Sequence, residues 1–193
     1  METVIKTGDS TLTLYDLDKN IYHLMSDIVD EIKDCLVKNP EIKIYGKTAY
    51  QRRSVGFFSD ESLGYKYSWK FMKSKPFSQG LKYLLEYINT KFGAIFNGIL
   101  VNYYVDGNEY IAKHSDDEKT LDDTGVIMVS YGAIRKFRIR EKKTNKIVKD
   151  VLTEPNKIIQ MSGNFQKEFT HEIPVEKKVK GSRYSFTFRK HLN

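Results

Sequence analysis

The second half of the chain limits the fold most. Between residues 98 and 190, eight short segments of β character follow one another: 98–104, 109–114, 126–130, 134–140, 147–152, 157–161, 169–174 and 182–190. Turn formers separate several of them, namely Asp106-Gly107, Thr144-Asn145, Pro155-Asn156, Gly163-Asn164 and Gly181. Eight closely spaced strands at the end of a chain point to two packed sheets in a jelly roll. Ahead of them the periodicity is helical. Ile21, Leu24, Met25, Ile28, Val29, Ile32 and Leu36 recur at helical spacing, stop at Asn39-Pro40, and have Asp18 or Asn20 as cap. A second amphipathic helix follows Pro76, capped by Ser78, with Leu81, Leu84, Leu85, Ile88 and Phe92 on one side. The expected fold is α+β: a double-stranded β-helix (jelly roll) with two N-terminal helices bracing one sheet from outside.

At 193 residues, with no repeat or linker, one domain is expected over 1–193. Its parts would be a β-prone arm and helix (1–40), an aromatic, basic β segment (41–75) and the jelly-roll core (94–193). The one cysteine, Cys35, excludes an internal disulfide and a thiolate cluster for zinc, so a metal would need His and carboxylate ligands. The first twenty residues lack a basic start and an apolar run, so a soluble, intracellular monomer with no membrane partner is expected. The net charge of +7 favours a polyanionic partner such as nucleic acid, although a generically Lys-rich surface produces the same value.

In the segment 41–75, Tyr65, Tyr67, Trp69 and Phe71 alternate onto one face. Such a stripe serves a core as readily as it serves binding. Interleaved with Arg52, Arg53, Lys66 and Lys70, it also has the makings of a base-stacking platform beside phosphate contacts.

His114 and Asp116 lie two residues apart, and on extended backbone they point to the same side. His171 follows in another β-like segment. Two nitrogens and one oxygen around a cation make the facial triad of a non-haem Fe(II) oxygenase, whose open positions leave room for a chelating cosubstrate and O2. Two surface histidines near an acidic turn would look the same. The last strand adds a second constraint: Arg183, Ser185, Thr187 and Arg189 share one face, and Tyr184, Phe186 and Phe188 the other. Buried guanidinium groups need anionic company, which a small dicarboxylate would supply. Alternatively one or both arginines, Arg189 above all, face solvent at the strand's ends. His23, off the apolar stripe of its helix, and His191, near the C-terminus, read as exposed.

Taken together these blocks resemble the AlkB family of Fe(II)- and 2-oxoglutarate-dependent dioxygenases. Asn102-Tyr103-Tyr104 is similar to the family's N-x-Y strand, His114-Ser115-Asp116 to its H-x-D, His171 to its distal ligand, and RYSFTFR (Arg183 to Arg189) to its R-x-[NS]-x-T-F-R signature. YKYSW and SYGAIRKFRIR resemble two further family blocks, in family order from about residue 45 to the C-terminus. HSDDE and GNFQKEFTHEIP look closest to the eukaryotic homologues that repair alkylated DNA and RNA. The resemblance implies iron at His114, Asp116 and His171, and 2-oxoglutarate at Asn102, Tyr104, Arg183, Ser185 and Arg189. Arg183 is the better match for the distal carboxylate. It further implies oxidative removal of methyl groups from base nitrogens, as in 1-methyladenine and 3-methylcytosine, with succinate, CO2 and formaldehyde released. Glu118 matches a base-recognition position and Asp117 is its neighbour. Phe58, Tyr65 and Tyr67 are candidates for holding the flipped base, Arg135 and the basic residues after it for phosphate, and Tyr45 for a wedge. A protein or small-molecule hydroxylase on the same fold, and a non-catalytic nucleic-acid binder, are the competing expectations.

Overall fold

The computed structural model describes residues 1–44, 46–67, 70–117 and 125–192, with the side chains of 44, 65–67 and 70 outside the description. In chain order its elements are β1 (Glu2–Thr7), β2 (Ser10–Asp16), α1 (Lys19–Ile32), β3 (Val37–Lys38), β4 (Glu41–Ile44), β5 (Lys47–Tyr50), β6 (Ser54–Phe58), β7 (Gly64–Tyr67), β8 (Lys70–Lys73) and α2 (Gln79–Phe92). Then follow β9 (Gly98–Tyr104), β10 (Ile111–His114), β11 (Val126–Gly132), β12 (Lys136–Glu141), β13 (Ile147–Leu152), β14 (Lys157–Ser162), α3 (Phe165–Glu168), β15 (Phe169–Ile173) and β16 (Arg183–Arg189).

The eight strands expected from the sequence are β9 to β16, and they divide equally between two antiparallel sheets. The larger sheet runs β1-β2-β14-β11-β16-β9-β6-β3, the smaller β10-β15-β12-β13. Alternation along each strand decides what lies between them. On β16 and β9, Phe186, Phe188, Ile99 and Val101 face outward, where they pack with Ile21, Met25, Ile28 and Ile32 of α1 and Leu81, Leu84 and Ile88 of α2. The two helices therefore cover the outer face of the larger sheet, because their apolar stripes have no other surface to bury against. The inner faces of both sheets enclose a second core, which includes Leu12, Met128, Phe137, Ile139, Ile159, Met161 and Phe169.

The helix ends follow local chemistry. Ser78 Oγ accepts the Leu81 N–H at 3.2 Å, and α2 ends on Gly93 at φ +59°, a left-handed cap that glycine adopts without strain. Asp18 precedes α1 without a side-chain capping bond; its carboxylate pairs with Lys91 at 2.9 Å instead. Two pieces outside 94–193 extend the core sheet. The arm forms the β1–β2 hairpin and pairs with β14, and β6 pairs with β9. No helix among the described residues is long and apolar enough to cross a membrane.

Candidate metal and dicarboxylate site

Register builds the site. In the smaller sheet His114 lies directly opposite His171 across β10 and β15, next to an irregularity in the β10 pairing. In the larger sheet Arg183 pairs with Tyr104 and Ser185 with Asn102 across β16 and β9. One interior cavity is lined by all eight residues that the sequence singles out for metal and dicarboxylate: His114, Asp116, His171, Asn102, Tyr104, Arg183, Ser185 and Arg189.

The ligand atoms of His114, Asp116 and His171 lie within 4.8 Å of one another. His114 Nε2 stands 3.8 Å from Asp116 Oδ1, and His171 Nε2 stands 3.7 Å from Asp116 Oδ2. Orientation comes from surrounding groups. His114 Nδ1 lies 2.9 Å from the Ala112 carbonyl, which places its proton on Nδ1 and leaves the Nε2 lone pair facing the centre. Gln166 Oε1 accepts the Asp116 N–H at 2.9 Å, and Ser115 Oγ donates to the Phe169 carbonyl at 3.0 Å, so the turn after β10 is held by the α3–β15 segment. Protonation states suit a cation. Burial lowers both imidazoles, His171 to about 3, so that both are neutral at pH 7. Burial acts to raise the Asp116 carboxyl, but Arg189 and the two histidines outweigh it and hold it below the ordinary carboxylate range.

On the dicarboxylate side a buried cation meets hydroxyls, a thioether and the Tyr104 ring rather than a carboxylate. Arg183 is 1% exposed. Its guanidinium reaches Ser130 Oγ at 2.8 Å, Thr153 Oγ1 at 3.2 Å and Met128 Sδ at 3.6 Å, and its Nη1 is buried with no hydrogen-bond partner among the described residues. Burial lowers it to about 10, still charged at neutral pH. An unmatched buried guanidinium is costly unless an anion arrives to meet it. This donor set fits Fe(II) with a chelating dicarboxylate: neutral imidazoles and a carboxylate for the metal, Arg183 for the far carboxylate. The free space is about 30 Å³, less than a dicarboxylate needs. Among the lining side chains Met128, Met161 and Arg189 are long and flexible, and entry of a ligand has to displace some of them.

Several expectations are corrected. Arg189 does not face solvent: it is 3% exposed, and its Nη2 donates to Asp116 Oδ1 at 2.5 Å. His191 is buried rather than exposed, 4.6 Å from the Phe57 ring, because Asn97 clamps its backbone from both sides. Phe58 packs in the helix-side core at 2% exposure and offers no face to a base. Arg135 makes no phosphate contact: it is 1% exposed and spends its donors on Glu176, the Asp106 and Glu109 carbonyls and the Pro174 carbonyl. Arg138 and Arg140 pair with Asp150 and Glu172. Asp117 is exposed and pairs with Lys142 at 2.9 Å. Tyr45 and Glu118, and the side chains of Tyr65 and Tyr67, lie outside the described residues.

Two further residues join the site: Arg53, expected from the sequence as a phosphate contact but buried, and Gln166, which the sequence did not single out. Arg53, 4% exposed, lines the cavity and donates from Nε to Asn102 Oδ1 at 2.7 Å. Gln166 secures the backbone of Asp116. A strand alternation starting at Gln51 would have put Arg53 on one face with Val55, but only pairing with β9 shows that this face is the inner one.

The chain belongs to the 2OG-Fe(II) oxygenase superfamily, whose family model matches residues 19–189. That membership implies Fe(II) and 2-oxoglutarate, with O2, at the site just described. Within the superfamily it is similar to proteins named as AlkB homologues. Human "DNA oxidative demethylase ALKBH2" is 29% identical over 160 residues, covering 78% of this chain and 61% of the relative. The rat "Alpha-ketoglutarate-dependent dioxygenase alkB homolog 3" is 30% identical over 137 residues, covering 66% of this chain and 46% of the relative. The chain thus spans about three fifths, or less, of the length of these two relatives. The solved structure of OsALKBH1 shares the fold at a TM-score of 0.56, with 15% identity and coverage of 93% of this chain and 97% of that one.

Proposed function

We propose that this chain is an Fe(II)- and 2-oxoglutarate-dependent dioxygenase that removes methyl groups from the ring nitrogens of nucleobases in DNA or RNA, 1-methyladenine and 3-methylcytosine being the substrates. The observation that carries the proposal is the meeting of His114, Asp116 and His171 in one cavity with the unmatched guanidinium of Arg183. Bound iron, with 2-oxoglutarate and O2, supplies the oxidising power for hydroxylating a methyl carbon; formaldehyde, succinate and CO2 are the products.

The chain's own residues do the rest. The Ala112 carbonyl and Gln166 hold His114 and Asp116 in the orientation a metal needs. Arg183 fixes the far carboxylate of the cosubstrate, and Arg189 shares its charge with Asp116. The base must leave its stack to reach such a buried centre. Both methylated bases are cationic, and the carboxylate of Glu118, two residues past Asp116 in the sequence, favours a cation there. Tyr65 and Tyr67 remain candidates for stacking on it. The net charge of +7 and the relatives' naming as a DNA demethylase support a nucleic-acid substrate.

The test is incubation with Fe(II), 2-oxoglutarate and a panel of single- and double-stranded oligonucleotides bearing 1-methyladenine or 3-methylcytosine, read by mass spectrometry. Loss of one methyl mass is expected, and none with His114→Ala. Oxoglutarate turnover without methyl loss from any oligonucleotide rejects the substrate and favours a peptide or small-molecule hydroxylase. Oligonucleotide binding with no iron uptake rejects the enzyme.

A further inference from the structure

We propose that the cleft beside the iron cavity is a second base subsite, which takes a nucleobase neighbouring the alkylated one on the same strand. This rests on the nucleic-acid reading above. The cleft measures about 370 Å³, and Gln51, Arg53, Val55, Phe71, Met72 and Lys73 are among the residues that line it. Arg53 lines the iron cavity as well and is tied to Asn102, so it forms the partition between the two spaces. None of the eight residues of the metal and dicarboxylate set borders the cleft, so its occupant is not the base presented to His114.

Three features define the occupant's chemistry. The first is a polar atom left waiting. Gln51 is 7% exposed and its Oε1 is buried with no partner among the described residues. A buried acceptor without a donor destabilises a fold, so its presence here calls for an N–H brought by a ligand. The second is a fixed aromatic face. Phe71 lines the cleft at 62% exposure, yet its ring rests on Gly64, where an added Cβ would come within 2.2 Å of Cζ. A ring braced from behind and open in front is a stacking platform. The third is charge. Lys73, Lys75 and Arg53 line the cleft against one carboxylate, Glu41, which leaves a positive balance. A planar heterocycle with an N–H on its edge and a phosphate attached meets all three, and every standard nucleobase carries such an N–H.

The experiment measures binding of fluorescein-labelled single-stranded 9-mers, with 3-methylcytosine at the centre, by fluorescence anisotropy. In four of them an abasic tetrahydrofuran residue replaces the base one or two places to either side. Wild-type protein is expected to lose five- to tenfold in affinity when one particular flanking base is missing, and less than twofold at the other positions. Gln51→Leu and Phe71→Ala are each expected to reduce that penalty below twofold. Because Gln51→Leu also removes the unpartnered acceptor, its Tm is expected to rise by about 2–4 °C. A wild-type protein indifferent to every flanking base overturns the proposal. So does a Gln51→Leu variant that melts lower while keeping the full penalty, since Gln51 is then structural. Demethylation of the intact 9-mer is followed alongside: turnover without flank dependence refutes the second subsite alone, and no turnover refutes the functional reading beneath it.

Discussion

Arg183→Met separates what the guanidinium does for the fold from what it does for a ligand. In the free protein the buried charge is a liability. Burial lowers the group from its ordinary value to about 10, equivalent to about 3 kcal/mol against the folded state at pH 7. The sign is that of a base with a depressed folded-state pKa: the penalty is fully present below about pH 10 and disappears only above the ordinary guanidinium range. Methionine removes it but leaves the Ser130 hydroxyl without its donor, at about 1 kcal/mol, while Thr153 Oγ1 keeps the Arg135 N–H at 3.0 Å. The free variant should be about 2 kcal/mol more stable than the parent, or roughly 4–8 °C higher in Tm. With ligand the order reverses. A carboxylate that loses its buried guanidinium partner loses about 3–5 kcal/mol, or about two to four orders of magnitude in Kd. The assay is thermal unfolding with Mn(II) as redox-inert stand-in, with and without 2-oxoglutarate. At one hundred times its Kd the ligand stabilises wild type by about 2.7 kcal/mol, but Arg183→Met by less than about 0.5 kcal/mol at the same concentration. A variant that keeps the full ligand-induced shift would refute the assignment of Arg183 to the dicarboxylate.

Other consequences follow from single contacts. Glu176 pairs with the buried Arg135 at 3.1 Å, so Glu176→Ala should destabilise by about 3–5 kcal/mol in urea unfolding; a loss below 1 kcal/mol contradicts the burial of that charge. Lys142→Ala, which breaks an exposed pair with Asp117, should change stability by less than about 1 kcal/mol. Gln166→Leu removes the acceptor that holds the Asp116 N–H and should weaken Mn(II) binding about 10–100-fold by EPR titration, whereas Gln166→Glu retains an acceptor and should restore most of it. His191, buried beside Arg189, has its pKa lowered to about 4. The unfolded chain then binds the extra proton first, so its contribution is intact above pH 6.5 and lost as pH falls towards 4, amounting to about 3 kcal/mol. Stability measured at pH 7, 6, 5 and 4 should fall less steeply in His191→Phe; an identical slope rules His191 out as its source.

What could be read from the sequence was local. All eight strands of the jelly roll announced themselves through alternation and intervening turn formers, and Ser78 marked the start of α2. His114, Asp116, Arg183, Ser185 and Arg189 stood out because alternation along extended backbone puts each set on one side, and the structure gathers them in one cavity. What could not be read depended on pairing between distant segments. Nothing near Ser54 reveals that β6 lies beside β9, which turns Arg53 inward and Phe58 towards the helices. Arg135 looked like one more cation in a basic run; its burial is made possible by carbonyls from two remote loops and by Glu176. His191 looked like a loose end, and only the two bonds from Asn97 show otherwise.

The central claim is that His114, Asp116 and His171 hold a single ferrous ion to which 2-oxoglutarate then binds. Its most direct test is anaerobic equilibrium titration of the protein with Fe(II) and labelled 2-oxoglutarate. One iron and one oxoglutarate per chain are expected, with oxoglutarate retained only when iron is present and both lost in His171→Ala. Oxoglutarate bound equally well without metal, or iron held undiminished after His171→Ala, would contradict it.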